Sequence, residues 1–185
     1  MASAADIRQY FQSNCVGGYV EFANVASGHC CTTSFPSATP TSGFPSLAVL
    51  NADFGTQLFG YQRTRNGDDC GAIAAQQATG VMIPEMIVGL DLDPIIGRFA
   101  ASRWYPARPV EKRYARACAP TITEKCESAV MPNRVVLDDG DLFELEGLDE
   151  ETNRELIAFA LNGATVGEVP DRFAEFKRNR VKGEP

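Results

Sequence analysis

The sequence predicts an α+β fold: an antiparallel, β-rich body, closed as a barrel or stacked as a sandwich, with a short N-terminal helix and two C-terminal helices. Three observations carry this. Short β-prone runs separated by turn residues occupy much of the body, which extends to about residue 147. An Asp139-Gly140 turn stands between two further runs, a strong hairpin signal. From about 148 to 182 the pattern becomes helical, with capping and stop residues at helix spacing. A chain of 185 residues can bury roughly 70% of its unfolded surface, and a single domain over 1–185 is the expectation.

Taken in order, Ala4 to Gln12 reads as a helix with Ser3 as N-cap and Ile7, Tyr10 and Phe11 on one face, ended by Gly17-Gly18. Tyr19 to Val25 alternates as a strand, with Val20 and Phe22 opposite Glu21. Thr32 to Ser46 is mostly Ser, Thr and Pro with Phe35 and Phe44 inserted, a composition that builds no core of its own and reads as a surface strap. Strand-like runs follow at Leu47 to Ala52, Gln57 to Gln62, Ala72 to Gln77 and Val81 to Leu90, divided by turn chemistry such as Asn66-Gly67 and Asp93-Pro94. Ile95 to Ser102 fits a strand or a helical turn. Arg134 to Leu137 and Asp141 to Leu145 make the hairpin. A helix capped by Asp149 or Thr152, with Thr152 and Glu155 as a capping box, runs to about Leu161 and stops at Gly163. Pro170 opens a second helix with Phe173 and Phe176 inward.

The net charge of −7 repels nucleic acid and anionic membrane surfaces, so neither is an expected partner. The longest apolar stretch, Val81 to Gly97, is interrupted by Pro84, Glu85, Asp91, Asp93 and Pro94, and no membrane span is expected. The first residues lack the charged and apolar regions of a signal peptide, which leaves the compartment to the cysteines. There are six, Cys15, Cys30, Cys31, Cys70, Cys118 and Cys126. An even count predicts disulfides, and with them a secreted, extracellular protein; the alternative is a cytoplasmic protein with buried thiols. Cys118 and Cys126 read as a local clip. Adjacent Cys30 and Cys31 do not bond each other easily, so they are expected to reach Cys15 and Cys70.

Nothing in the chain matches a nucleotide-binding fingerprint, and no cofactor is expected. His29 is the single histidine and stands directly before Cys30-Cys31; three consecutive residues do not converge on one ion, so no metal is assigned. Asp68, Asp69, Asp91 and Asp93 are the carboxylates that could serve as an acid-base pair, or, for Asp91 and Asp93, as calcium ligands, although aspartates in such sequences commonly make turns. Arg103-Trp104-Tyr105-Pro106-Ala107-Arg108 joins the one tryptophan to a tyrosine between arginines, the composition of a binding hot spot; the competing reading is that Trp104 anchors the core. Lys112-Arg113 has the form of a dibasic processing site.

The sequence therefore favours a secreted, non-enzymatic binding protein that recognises a small ligand, glycan or partner protein through Arg103, Trp104, Tyr105 and Arg108. The rival is a small hydrolase or isomerase using the aspartates above. A third reading is an intracellular interaction module with reduced thiols, in which the acidic stretch, Asp138 to Glu151, and the C-terminal helices form the docking face.

Overall fold

Period-two alternation governs the first residues. Ala4–Tyr10 form β1, which pairs antiparallel with β2 (Tyr19–Ala26) on one side and β4 (Ser46–Leu50) on the other. The computed structural model describes residues 4–33, 43–52, 55–64, 67–78, 98–106 and 129–178, and 88–91 by their backbone. Ile7 and Gln9 of β1 are fully buried, and Arg8 between them reaches Glu21 of β2. The expected N-terminal helix is thus corrected to a strand. Ile7, Tyr10 and Phe11 do meet a helical spacing, but a segment flanked by two strands gains a hydrogen-bond ladder on each edge, and this outweighs local propensity.

The remaining strands are β3 (Cys30–Thr32), β5 (Gln57–Gln62), β6 (Ala72–Ala78), β7 (Val88–Asp91), β8 (Ala101–Tyr105), β9 (Ala129–Val130), β10 (Arg134–Val136), β11 (Leu142–Glu144) and β12 (Lys177–Arg178). They form two sheets, in the orders β12-β11-β10-β2-β1-β4-β7 and β6-β5-β8-β3-β9. Each sheet ends in edge strands and neither closes on itself, so the barrel expectation is also corrected. Nor is the body wholly antiparallel: β3 and β9 run parallel, with Cys30 opposite Ala129 and Cys31 opposite Val130.

One apolar cluster joins the sheets. It takes Ile7, Val20, Phe22, Leu47 and Val49 from the first, and Cys31, Leu58 and Trp104 from the second. Each such side chain stabilises the fold by about 1.5–3 kcal/mol on burial. Gln9 crosses between the sheets, its Nε2 donating to the carbonyl of Cys31 at 2.9 Å and to Ser102 Oγ at 2.8 Å.

The helix α1 spans Glu150–Leu161 and adds Leu156, Ile157 and Ala160 to the same core. Asp149 is its cap, accepting from the Thr152 amide at 2.8 Å and the Thr152 hydroxyl at 2.9 Å. It ends where Gly163, at φ 72°, lets its own amide and that of Ala164 return to the carbonyls of Ala160 and Phe159. The second C-terminal helix is corrected: Asp171–Phe176 are 3-10 turns, with Phe173 buried edge-on to Phe159. Six residues are too few for two α-helical turns, and Lys177–Arg178 extend at once to pair with β11.

A candidate ligand cleft at the junction of helix and sheet

The residues expected to bind ligand are divided by the alternation of β8. Trp104 is 1% exposed, and its indole N–H donates to the carbonyl of Val25 at 3.0 Å. It is a core anchor and offers no face to solvent, so its assignment to a recognition surface is corrected. The reason is position: β8 lies between β5 and β3, inside the second sheet, with the first sheet against it. Arg103 is buried as well, its guanidinium 5.6 Å from the Tyr61 ring, and Tyr105 packs edge-on to Phe59. Arg108 lies outside the described residues, as do Lys112 and Arg113.

Of the four carboxylates, the two whose side chains are described, Asp68 and Asp69, are engaged with different partners. Asp68 Oδ1 accepts from the Cys70 amide at 3.1 Å, a turn contact. Asp69 is held by Arg63 and by the Thr32 hydroxyl at 2.7 Å. Asp91 is placed by its backbone in β7, and Asp93 lies outside the described residues. The bond from Thr32 ties Asp69, and with it the segment around Cys70, to β3, where Cys30 and Cys70 form a disulfide with Cα atoms 6.4 Å apart. Closing a loop with a sequence separation of 40 residues stabilises by about 4 kcal/mol. Cys31, one residue on, faces the opposite side of the strand as a buried thiol, and burial raises its pKa. Cys15 directs its Sγ toward the carbonyl of Leu47 at 3.4 Å. Cys118 and Cys126 lie outside the described residues. His29 Nδ1 lies 3.5 Å from the carbonyl of Ser27.

A different site emerges where β3 and β9 end. Because these strands are parallel, their C-terminal ends lie side by side, and Thr33 and Met131 emerge together beside the first turns of α1. With Leu148, Glu150, Asn153, Arg154 and Ile157 they line a cleft of about 300 Å³. Ile157 is buried, whereas Met131 is 43% exposed. Among the described residues, Thr33 Oγ1 and Asn153 Oδ1 are both buried and lack a hydrogen-bond partner, Thr33 being 3% exposed overall. Each such atom costs about 1–3 kcal/mol when nothing answers it. Gln9 Oε1 and Thr56 Oγ1 also lack partners, but neither residue lines this cleft.

The charged groups of the cleft are Glu150 and Arg154, an exposed i,i+4 ion pair on α1. A neighbouring depression of about 560 Å³ includes Asp149, Thr152, Glu155 and Arg172, which contact one another in pairs. Asp149 caps α1, and Glu155 pairs with Arg172.

Sequence reasoning missed this site, although a signal was present. On α1 the inward stripe is 153, 156, 157 and 160, the i, i+3, i+4, i+7 set of a helix face. Leu156, Ile157 and Ala160 are apolar and buried, so an apolar residue is expected at the first position. Asn153 stands there instead.

Comparison with known proteins finds two matching family models and a secreted relative. A family model, the ARB_05566 N-terminal domain, matches residues 6–133, and its companion, the ARB_05566 C-terminal domain, matches 138–183. An uncharacterized secreted protein of Arthroderma benhamiae is 27% identical over 181 residues, covering 96% of this chain and 86% of that protein. No solved structure matches. The protein is secreted, in line with its cysteine content: the relative is secreted, and Cys30 is bridged to Cys70. Among the described residues no helix is long and apolar enough to cross a membrane. The two matched regions meet at β10, and the cleft takes Thr33 and Met131 from the first and its other lining residues from the second.

Proposed function

The chain belongs to the ARB_05566 family, and on that footing we propose that it is a secreted, non-enzymatic binding protein whose small ligand occupies the cleft between Thr33 and Asn153. The observation that carries the reading is a concavity whose lining includes two residues, Thr33 and Asn153, that each hold a buried side-chain oxygen without a partner. Native folds satisfy the great majority of such atoms, and a ligand is a means of satisfying these. The location agrees, since pockets favour the junctions between units of a fold. The same junction supports reading the chain as one folding unit: β10 pairs with β2 on one side and β11 on the other, and one core contains residues from both matched regions.

The cleft's chemistry favours binding over turnover. Among the described residues its lining offers one carboxylate, Glu150, already paired with Arg154, and no thiol or imidazole beside it. The rival carboxylate enzyme loses support because Asp68 and Asp69 are committed to a turn and an ion pair.

The test is a fragment screen by NMR on the labelled full chain. Saturable shifts should gather on Thr33, Met131, Asn153 and Ile157. Shifts scattered over the surface, or none at any of these four residues, would sink the binding role.

A further inference from the structure

We infer that the free edge of β6 is a self-association surface, through which two copies of this chain pair strand to strand as a twofold dimer. β6 ends the second sheet, and among the described residues it pairs with β5 alone. The N–H and C=O groups along the other side of such a strand are a template for a further strand. Ala72, Ile73, Gln76, Gln77 and Ala78 are exposed, Ile73 at 38%. This edge lies at the opposite end of the second sheet from β9, beside which the cleft opens, and it is independent of the cleft.

The other edges carry protections that soluble sheets use against such pairing. β9 and β12 are two residues long, and β12 consists of Lys177 and Arg178. β7 has four residues and ends in Asp91. β6 runs for seven, Ala72–Ala78, with no proline and no charged side chain. That is about 24 Å of strand at the usual rise per residue. Its one protective device is a bulge, where the register shifts between Gly60 and Tyr61 of β5; beyond it, Ala75–Ala78 stay in regular register with Gln57–Gly60.

Charge selects a second copy as the occupant. The chain carries a net charge of −7, so two copies repel one another wherever their acidic surfaces meet. β5 and β6 together contain no Asp, Glu, Lys, Arg or His, so this edge brings no like charges together. A partner strand chosen by its charge would find none here to answer. Gln76 and Gln77 offer amides that both donate and accept, which makes them complementary to the same amides on another copy. Ala75 and Ala78 keep the flanking side chains short where two backbones approach to about 4.8 Å. Antiparallel pairing about a twofold axis uses the same edge on both copies, and so stops at two.

The test is sedimentation of the full chain over concentrations up to millimolar, with hydrogen exchange of the β6 amides alongside. A reversible monomer–dimer equilibrium is expected, and amides within Ala72–Ala78 should gain protection as the dimer fills. Gln76→Lys with Gln77→Lys brings cations together across the axis, and Gln76→Glu with Gln77→Glu brings anions. Each double variant should weaken the dimer at least about tenfold. An equal mixture of the two should recover a dimer containing one chain of each. Their melting temperatures should match the unaltered chain, since both positions are exposed; if either melts early, exchange in the unaltered chain decides. A chain that stays monomeric, or a dimer whose β6 amides gain no protection, overturns the proposal. So does a dimer that both doubles leave as strong, a mixture that recovers nothing, or an assembly that grows past two.

Discussion

Arg8 and Glu21 lie buried on adjacent strands of the first sheet, and Thr33 and Asn153 are set into the junction of the second sheet with α1, yet the two polar regions are completed differently. In the first, charge is answered strand by strand. Arg8 Nε meets Glu21 at 2.8 Å, Arg134 Nη1 meets the other Glu21 oxygen at 2.9 Å, and Arg134 Nε meets Glu144 at 3.3 Å. This ladder crosses β1, β2, β10 and β11 and favours their register, since a one-residue slip would carry each charge to the other face. In the second region two polar atoms are enclosed and left open. The difference teaches where the fold completes its polar groups: the charges of the ladder find partners on neighbouring strands, and the oxygens of Thr33 and Asn153 do not.

The largest expected effect comes from Trp104, which ties the two regions' sheets together through its bond to Val25. Trp104→Ala should lose about 4–5 kcal/mol in a urea unfolding curve, from the cavity and the lost hydrogen bond together. A loss under about 1 kcal/mol would return Trp104 to the surface, outside the range expected of core aromatics. Next is Glu21→Ala, which strands Arg8 without its buried partner; about 3 kcal/mol should vanish, at the lower end for a broken buried pair because Arg134 is partly exposed and rehydrates. Equal stability would mean that the ladder is ordinary surface charge.

The opposite sign is expected in the cleft. Thr33→Val and Asn153→Leu each remove an unanswered atom while keeping the side chain's approximate shape, and each should raise stability by about 1 kcal/mol. A fall in either would show that the atom has a partner after all, and would erase the contrast. The smallest effect concerns the helix end beside the cleft. The Thr152 amide, then the Thr152 hydroxyl, hold the Asp149 carboxyl below its ordinary pKa. A depressed folded pKa means that the capping contribution is complete above the ordinary carboxylate value and is lost as pH falls through the lowered one. The protection of the Thr152 amide relative to its intrinsic exchange rate should therefore fall only in acid, and in Asp149→Ala it should be low already at neutral pH.

Much of the local structure was legible in the residues. The strand at Gln57–Gln62, the hairpin turned at Asp139-Gly140, and the helix from its Asp149 cap to its Gly163 stop all follow from turn, cap and period rules. The misreadings have a common origin. Ile7, Tyr10 and Phe11 suit a helix until β2 and β4 are placed beside them, and Trp104 looks like a hot spot until the first sheet covers it. The candidate site was half legible: Asn153 breaks an apolar stripe that sequence alone displays, but nothing near Thr33 says that it will meet α1.

By itself, then, the amino-acid order determined the turns, the caps, the acidic balance and the cysteines that mark an exported protein, because these depend on neighbours within a few positions or on totals. Only the tertiary structure decided which faces are inside, which cysteines join, and that Thr33 and Asn153, 120 positions apart, share one cleft. Those outcomes depend on which strands pair across the sheets. Pairing is chosen by the summed burial of many side chains rather than by any short stretch of chain.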